Sequence, residues 1–112
     1  MGFGLREKLV AWLETKTVDD LVYVKKNPDV GIFLKHPELT PYDIELIVLE
    51  PERVLSVERA LDHENRLLAV RAYTRRLFLQ YILLDPFHDS LPKRFEGKVA
   101  VVTAYPTRKR SP

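Results

Sequence analysis

The chain has 112 residues, of which 46% are apolar and 30% charged, and its formal net charge is +2. This length and composition predict one globular domain over residues 1–112. The absence of cysteine excludes disulfides, thiolate metal sites and a cysteine nucleophile. No apolar run reaches the roughly 18 residues of a membrane helix, and charges interrupt the N-terminus where a signal peptide would be apolar. We therefore expect a cytoplasmic protein that does not enter a membrane.

The N-terminal part of the chain predicts helices. Apolar residues recur at helical spacing over residues 5–15, with charges on the other side. Residues 21–24 fit either a short helix or a strand. An apolar run over residues 30–35 leads into His36 and Pro37, and proline disfavours helical backbone at the residue before it. A helix over this run would therefore leave His36 at its C-terminal edge.

A second helix is marked by its own capping residues. Thr40 is an N-cap candidate, Pro41 suits the first helical position and Asp43 falls in the first turn. Pro51 predicts that this helix ends near Glu50.

After Pro51 the apolar pattern changes to a period of two, which predicts strands. The strands are predicted at residues 53–59, 67–73, 77–84 and 98–105, with a polar turn at residues 63–66. Helices followed by a run of strands indicate an α+β fold, in which N-terminal helices precede a four-stranded antiparallel sheet.

Two hydroxyl side chains interrupt the apolar pattern of the last strand. Thr103 and Tyr105 are two residues apart, so a strand directs both to one face. Basic residues follow at once, and a hydroxyl pair beside cations suits a site that handles phosphate. The alternative is a core threonine, a half-buried tyrosine and a solvated tail.

The charge of the chain is unevenly distributed. Residues 1–52 carry 6 Lys or Arg and 10 Asp or Glu, a balance of −4, whereas residues 53–112 carry 12 and 6, a balance of +6. This asymmetry favours a polyanionic partner. The residues predicted to bind RNA are Tyr73, Arg75, Arg76, Arg108 and Lys109, and Arg71 is expected to contribute to the same positive face. The alternative is that Tyr73 packs and the arginines are solvated.

The residues available for chemistry suit RNA cleavage without a metal ion. The sequence has no phosphate-binding glycine loop and no GxSxG elbow, and its three histidines lack metal-ligand spacing. Histidine can act as acid or base near neutral pH, arginine binds phosphate oxygens, and tyrosine can stack on a base. Arg71 and Tyr73 share one strand face, as Thr103 and Tyr105 do, so all four could converge if their strands are neighbours. His63 and His88 are expected to be surface residues in loops.

The sequence resembles a known ribonuclease group. The segments that carry the resemblance are HPE (36–38), EPERV (50–54), HENR (63–66) and VVTAYPTRKR (101–110). They resemble phage-barnase-type members of the barnase–EndoU–colicin–RelE group over about residues 30–110, with residues 1–29 as a helical N-terminal extension. The resemblance implies a helical part with a four-stranded antiparallel sheet, and a ribonuclease that needs no cofactor. It also implies a toxin role with an antitoxin protein as partner, and a catalytic site made of His36, Arg71, Thr103 and Tyr105.

A second interpretation keeps the fold and removes the catalysis. The same basic sheet face could serve a non-catalytic module that binds RNA or a protein, and HPE and TAYP could serve packing alone. Convergence of the four candidate residues in one cleft would favour the enzyme.

Overall fold

The computed structural model describes residues 4–25 and 32–108. Over these residues the chain has an α+β fold, in which two α-helices and a five-stranded sheet share one core. The elements are α1 (Leu5–Leu13), β1 (Leu21–Tyr23), α2 (Pro41–Leu49), β2 (Val54–Ala60), β3 (His63–Ala72), β4 (Leu77–Leu84) and β5 (Val99–Arg108). Short 3-10 helices lie at Val18–Asp20, Pro51–Arg53 and Lys93–Phe95. Within this part of the chain, no helix has the length and apolar character needed to cross a membrane.

The sheet contains one strand more than the sequence predicts. Its order is β1-β5-β4-β3-β2, and β2 to β5 form the predicted antiparallel meander with β4 at the centre. The fifth strand, β1, pairs with β5 in parallel through Leu21 and Val99. With three residues, β1 is too short to show an alternating pattern, so its sequence is compatible with either a helix or a strand. Its pairing comes from β5, and the N–H of Val24 also donates to the Val101 carbonyl at 2.9 Å.

Local capping fixes the start of α2 as predicted. The N–H of Thr40 donates to Asp43 Oδ2 at 2.8 Å, and Pro41 occupies the first turn. The helix ends at Leu49, and Pro51 begins the 3-10 turn that leads into β2. Because these signals lie within a few residues of one another, they could be read from the sequence alone.

The core lies between the helices and one face of the sheet. Leu9 and Leu13 of α1 and Ile44 and Ile47 of α2 are fully buried, in one cluster with side chains of β2, β3, β4 and β5. Each such side chain contributes about 1.5–3 kcal/mol to stability through burial. The buried sheet residues in this cluster are Val54, Leu67, Ala69, Leu79, Tyr81, Leu83, Val99, Val101 and Ala104. We call this side of the sheet the helix face, and the other side the open face.

A β-bulge in β5 changes which side chains reach the open face. Leu83 pairs with Val101, but the next residue back, Ile82, pairs with Thr103, so Val102 is an extra residue in β5. Under strict alternation Thr103 would share the helix face with Val101. The bulge instead places Thr103 on the open face and Ala104 on the helix face, beside Tyr81.

The predicted polar turn at residues 63–66 is wrong, because these residues belong to β3. Ala60 pairs with His63, so the hairpin loop is only Leu61 and Asp62. Arg59 then pairs with Leu67, which leaves residues 64–66 as an irregular stretch of β3 beside β2. The Glu64 carbonyl accepts a hydrogen bond from Arg59 Nη1 at 3.2 Å, and the Asn65 carbonyl accepts one from the Asp85 N–H at 2.9 Å. The Arg59 side chain thus supplies a partner on the side of β2, and the Asn65 bond continues the pairing of β3 with β4 toward Asp85. A polar sequence pattern does not reveal either contact.

Candidate active site

A pocket of about 320 Å³ lies on the open face, between the β2–β3 hairpin and β5. We call it the open-face pocket. Leu68, Ile82 and Val102 supply apolar side chains to its lining. Its polar lining includes Glu58, Arg59, Asp62, His63, Arg66, Thr103 and Tyr105. An apolar floor with a few polar groups is the usual character of a small-molecule or substrate site.

Thr103 and Tyr105 reach this pocket because of the bulge at Val102. Thr103 pairs with Ile82 and Tyr105 with Gln80, which places both on the open face. Both are half-buried. The sequence prediction that these two side chains share a face is therefore confirmed.

His36 lies beside Tyr105. Residues 32–35 are helical and His36 follows them directly, with its N–H donating to the Ile32 carbonyl at 3.1 Å. The His36 and Tyr105 ring centroids are 6.4 Å apart and the ring planes are inclined by 30°. The Glu38 carboxylate lies 3.9 Å from His36 Nδ1, so it forms an ion pair with the ring when the ring is protonated. His36 itself does not line the open-face pocket, and Tyr105 connects the two.

Arg71 lies on the other side of the sheet. It pairs with Leu79, which in turn pairs with Pro106, so its side chain extends from the helix face. Its Nη2 donates to Glu50 Oε1 at 3.3 Å, and its side chain is only 8% exposed. The predicted convergence of Arg71 with Thr103 and Tyr105 is therefore wrong. Strand β4 separates β3 from β5, and the bulge moved the hydroxyl pair to the face that Arg71 does not occupy.

Tyr73 also belongs to the helix side. Its hydroxyl donates to Asp43 Oδ2 of α2 at 3.4 Å. Burial and then the Asp43 carboxylate raise the pKa of Tyr73 above the ordinary tyrosine value. The predicted binding of RNA by Tyr73 has no support from this position, because the ring packs against the core.

The predicted RNA-binding arginines come together at one end of the sheet. Arg75 and Arg76 are exposed in the turn between β3 and β4, and the exposed Arg108 pairs with Leu77 just after that turn. We call these three residues the basic end. Lys109, predicted to bind with them, lies outside the described residues.

Sequence reasoning missed His63 and Arg66 as site residues. Both line the open-face pocket, and the Nε of Arg66 is buried without a hydrogen-bond partner in the part of the chain that the structure describes. A buried guanidinium nitrogen with no acceptor is costly unless a ligand or water supplies one. The sequence does carry a signal, since Arg66 and Leu68 are two residues apart on one strand face. It was hidden because residues 63–66 have the composition of a turn.

An ion pair between the exposed Arg59 and the buried Asp85 lies at this edge of the pocket. Asp85 is 1% exposed, and its Oδ2 accepts a hydrogen bond from Arg59 Nη1 at 2.8 Å. Its Oδ1 accepts the Phe87 N–H, also at 2.8 Å. Because Arg59 also bonds the Glu64 carbonyl, the pair ties β2 to the irregular stretch of β3 that presents Arg66.

The groups at the open face are those that acid–base chemistry on a phosphodiester needs. His63 and His36 carry imidazole rings, the side chains that most often act as acid or base in catalysis, and Arg66 can bind phosphate oxygens. Within residues 4–25 and 32–108, no group of three or more His, Cys, Asp or Glu side chains is arranged to hold a metal ion. No protein-family model, curated protein or solved structure matches the chain.

Proposed function

We propose that the chain is a cytoplasmic ribonuclease that cleaves RNA in the open-face pocket without a metal ion or cofactor. The observation that carries this proposal is that His63, Arg66, Thr103 and Tyr105 line one pocket. His36 lies against Tyr105 at the margin of the same face. The toxin role and the antitoxin partner implied by the resemblance belong to the same proposal.

The proposed reaction is attack of the RNA 2′-oxygen on the adjacent phosphorus. A base removes the 2′-hydroxyl proton, an acid protonates the leaving 5′-oxygen, and the products are a 2′,3′-cyclic phosphate and a free 5′-hydroxyl. His63 and His36 are the candidates for base and acid, and the Tyr105 hydroxyl is the alternative to His36. Thr103 positions the phosphate.

Arg66 takes the role that the sequence pattern assigns to Arg71. Negative charge builds on the phosphate oxygens during attack, and a guanidinium aimed at them stabilises that charge. Arg66 lines the pocket, whereas Arg71 lies on the helix face beside Glu50. Arg71 therefore has a contact with Glu50 at the end of α2, and it takes no part in the proposed reaction.

The basic end extends the proposed RNA path beyond the pocket. Arg75, Arg76 and Arg108 would neutralise phosphates of the nucleotides that flank the cleaved bond. The next open-face contact toward that end is between Gln80 Nε2 and Thr107 Oγ1, at 3.1 Å. Gln80 and Thr107 therefore continue the polar side chains of the open face from Tyr105 toward the end of the sheet at which these arginines lie.

The test is cleavage of single-stranded RNA oligonucleotides by the purified full-length chain in EDTA. We expect cyclic-phosphate ends, and a fall in rate of about 10²–10⁴-fold for His63→Ala. His88→Ala is the matched control, because His88 lies in the loop after β4 and outside the open-face pocket. Salt-dependent RNA binding with no cleavage would reject the enzyme and leave the non-catalytic binding module.

A further inference from the structure

A second pocket, of about 280 Å³, lies where the first turn of α1 meets the 3-10 helix at Pro51–Arg53 and strand β3. Three of its lining residues are arginines from these three elements: Arg6, Arg53 and Arg71. It shares no lining residue with the open-face pocket. We propose that this arginine pocket binds a phosphate group, either as inorganic phosphate or as a phosphate monoester.

Arg71 supplies the buried donors. Its side chain is 8% exposed, yet only two of its nitrogens have partners: Nε donates to the Ala72 carbonyl at 3.1 Å and Nη2 to Glu50 Oε1 at 3.3 Å. Its Nη1 is buried without a partner among the described residues. Buried polar groups in folded proteins nearly always have a hydrogen-bond partner, so an unpaired guanidinium nitrogen in a pocket wall indicates a missing acceptor.

Arg6 is fixed in place by neutral acceptors. Its Nε donates to the Val54 carbonyl at 2.7 Å and its Nη2 to the Glu52 carbonyl at 3.2 Å. The Glu7 carboxylate is 3.9 Å from its Nη1, which is too far for a hydrogen bond. The guanidinium is therefore held by two backbone carbonyls, with Glu7 near enough for an ion pair but not for a hydrogen bond.

Three carboxylates lie at or beside the three arginines without satisfying every guanidinium nitrogen. Glu50 bridges two of the arginines, with Oε2 3.0 Å from Arg53 Nε and Oε1 3.3 Å from Arg71 Nη2. Glu52 lines the pocket, and the Glu7 carboxylate lies 3.9 Å from Arg6 Nη1. The formal charges of these residues balance, so the attraction for an anion comes from Arg71 Nη1, which lacks an acceptor among the described residues, and not from a net positive charge.

The geometry favours phosphate over a single carboxylate. Donors come from a helix, a turn and a strand, so they approach from several directions, which suits a tetrahedral group with several acceptor oxygens. A volume of about 280 Å³ also exceeds the roughly 30 Å³ share of one water molecule by enough to admit a small phosphate monoester.

The test is a titration of the ¹⁵N-labelled full-length chain with inorganic phosphate, followed by backbone amide shifts. Glycerol phosphate tests the monoester and acetate tests a carboxylate. We expect saturable shifts at Val54, Leu55 and Ala72 with both phosphates. Arg53→Gln should weaken affinity by roughly tenfold, because the Arg53 side chain is 64% exposed and its loss removes a charged donor with little effect on folding.

Three further variants make the test specific. Glu52→Gln should tighten phosphate binding, because it removes a carboxylate that repels the ligand. Arg94→Gln removes the same charge as Arg53→Gln from an exposed residue outside the pocket, and should leave the affinity unchanged. Arg71→Lys, which keeps the charge but not the planar fork, should weaken binding while the amide spectrum stays folded.

Three results would overturn the proposal. These are the absence of saturable shifts, equal affinity in Arg53→Gln and the unchanged chain, and acetate binding as tight as phosphate. Shifts confined to the amides of Thr103 and Tyr105 would place the phosphate in the open-face pocket instead. That last result would reject the arginine pocket and leave the proposed ribonuclease site intact.

Discussion

The His36 ring stacks beside the Tyr105 ring, with centroids 6.4 Å apart and planes inclined by 30°. His36 follows a helical segment and Tyr105 belongs to β5, so the contact joins two elements that are distant in the chain. Tyr105 also lines the open-face pocket. The contact therefore brings a titratable ring to the margin of the pocket in which we propose that RNA is cleaved.

The role of His36 can be separated from its packing by His36→Phe. Phenylalanine keeps a ring against Tyr105 but removes both nitrogens. If His36 transfers a proton, cleavage should fall by about 10²–10⁴-fold while the thermal midpoint changes little. Single-turnover cleavage and circular dichroism melting measure the two quantities. An unchanged rate would mean that His36 only packs, and that Tyr105 or His63 carries the proton.

Arg66→Gln tests charge stabilisation in the open-face pocket. Loss of one well-placed donor to a developing negative charge costs about 10²–10³-fold in turnover. The free energy of unfolding should change little, because the buried Nε of Arg66 has no hydrogen-bond partner to lose among the described residues. Turnover rate and urea unfolding, each compared with Arg94→Gln, separate the effects. A normal rate in Arg66→Gln would exclude this guanidinium from the reaction.

The basic end should contribute to RNA affinity through counterion release. For single-stranded RNA, each phosphate that a protein neutralises adds about 0.7 to the steepness of log K against log salt. Each of Arg75→Gln, Arg76→Gln and Arg108→Gln should therefore flatten the slope by about that amount, without changing which sequences bind. Binding isotherms at several salt concentrations give the slopes. Slopes equal to that of the unchanged chain would show that RNA does not follow this end of the sheet.

Tyr81 makes the fold sensitive to alkali. Burial, more than any neighbouring charge, raises the pKa of Tyr81 well above its ordinary value, and its hydroxyl donates to the Asp43 carbonyl at 2.8 Å. A raised folded-state pKa means that the folded chain keeps a proton that the unfolded chain releases. The stability that the neutral Tyr81 contributes is therefore fully present below about pH 10. Above that pH, the free energy of unfolding falls by up to about 1.4 kcal/mol per pH unit.

Urea unfolding between pH 8 and 11 measures this loss. Tyr81→Phe should flatten the alkaline decline, and should cost about 1 kcal/mol at neutral pH because the Asp43 carbonyl loses its donor. Tyr42→Phe, at a residue that is 59% exposed, is the control. An equally steep decline in Tyr81→Phe would assign the effect to other groups.

Asp85→Ala should destabilise the fold, because it removes the ion pair with Arg59 beside the open-face pocket. The substitution removes the acceptor of both Arg59 Nη1 and the Phe87 N–H. Because the Arg59 side chain is 55% exposed, water can rehydrate its charge, and the expected loss is about 2 kcal/mol and not the larger cost of a stranded buried ion. Urea unfolding against the exposed control Asp89→Ala measures it. A loss no greater than that of the control would mean that the pair contributes little to stability.

Local signals were sufficient for much of the fold. The bounds of β4, Leu77–Leu84, match the prediction, because an apolar run interrupted by Gln80 ends at turn residues on both sides. The start of α2 was readable for the same reason, since Thr40 and Asp43 contact each other within one turn. The missing strand, β1, owes its conformation to pairing with β5, and pairing between distant segments leaves no local pattern.

The site was less predictable, because strand registers decide it. The alternation correctly placed Thr103 with Tyr105 and Arg71 with Tyr73, but it could not tell that the two pairs occupy opposite faces. His63 and Arg66 were missed because the irregular stretch of β3 resembles a turn in sequence. The proximity of His36 to Tyr105 is a tertiary contact for which the sequence offered only the helix end before Pro37.

The bulge at Val102 makes the register of β5 against β4, and not residue type, the property on which the proposed site depends. If Val102 entered the regular ladder opposite Ile82, Thr103 and Tyr105 would move to the face of Val101, under the helices, and two hydroxyl groups would replace apolar surface in the core. Deletion of Val102 would instead leave both hydroxyls on the open face, because Thr103 would then follow Val101 directly and still pair with Ile82. Related chains that keep this site should therefore keep that pairing, with or without the extra residue.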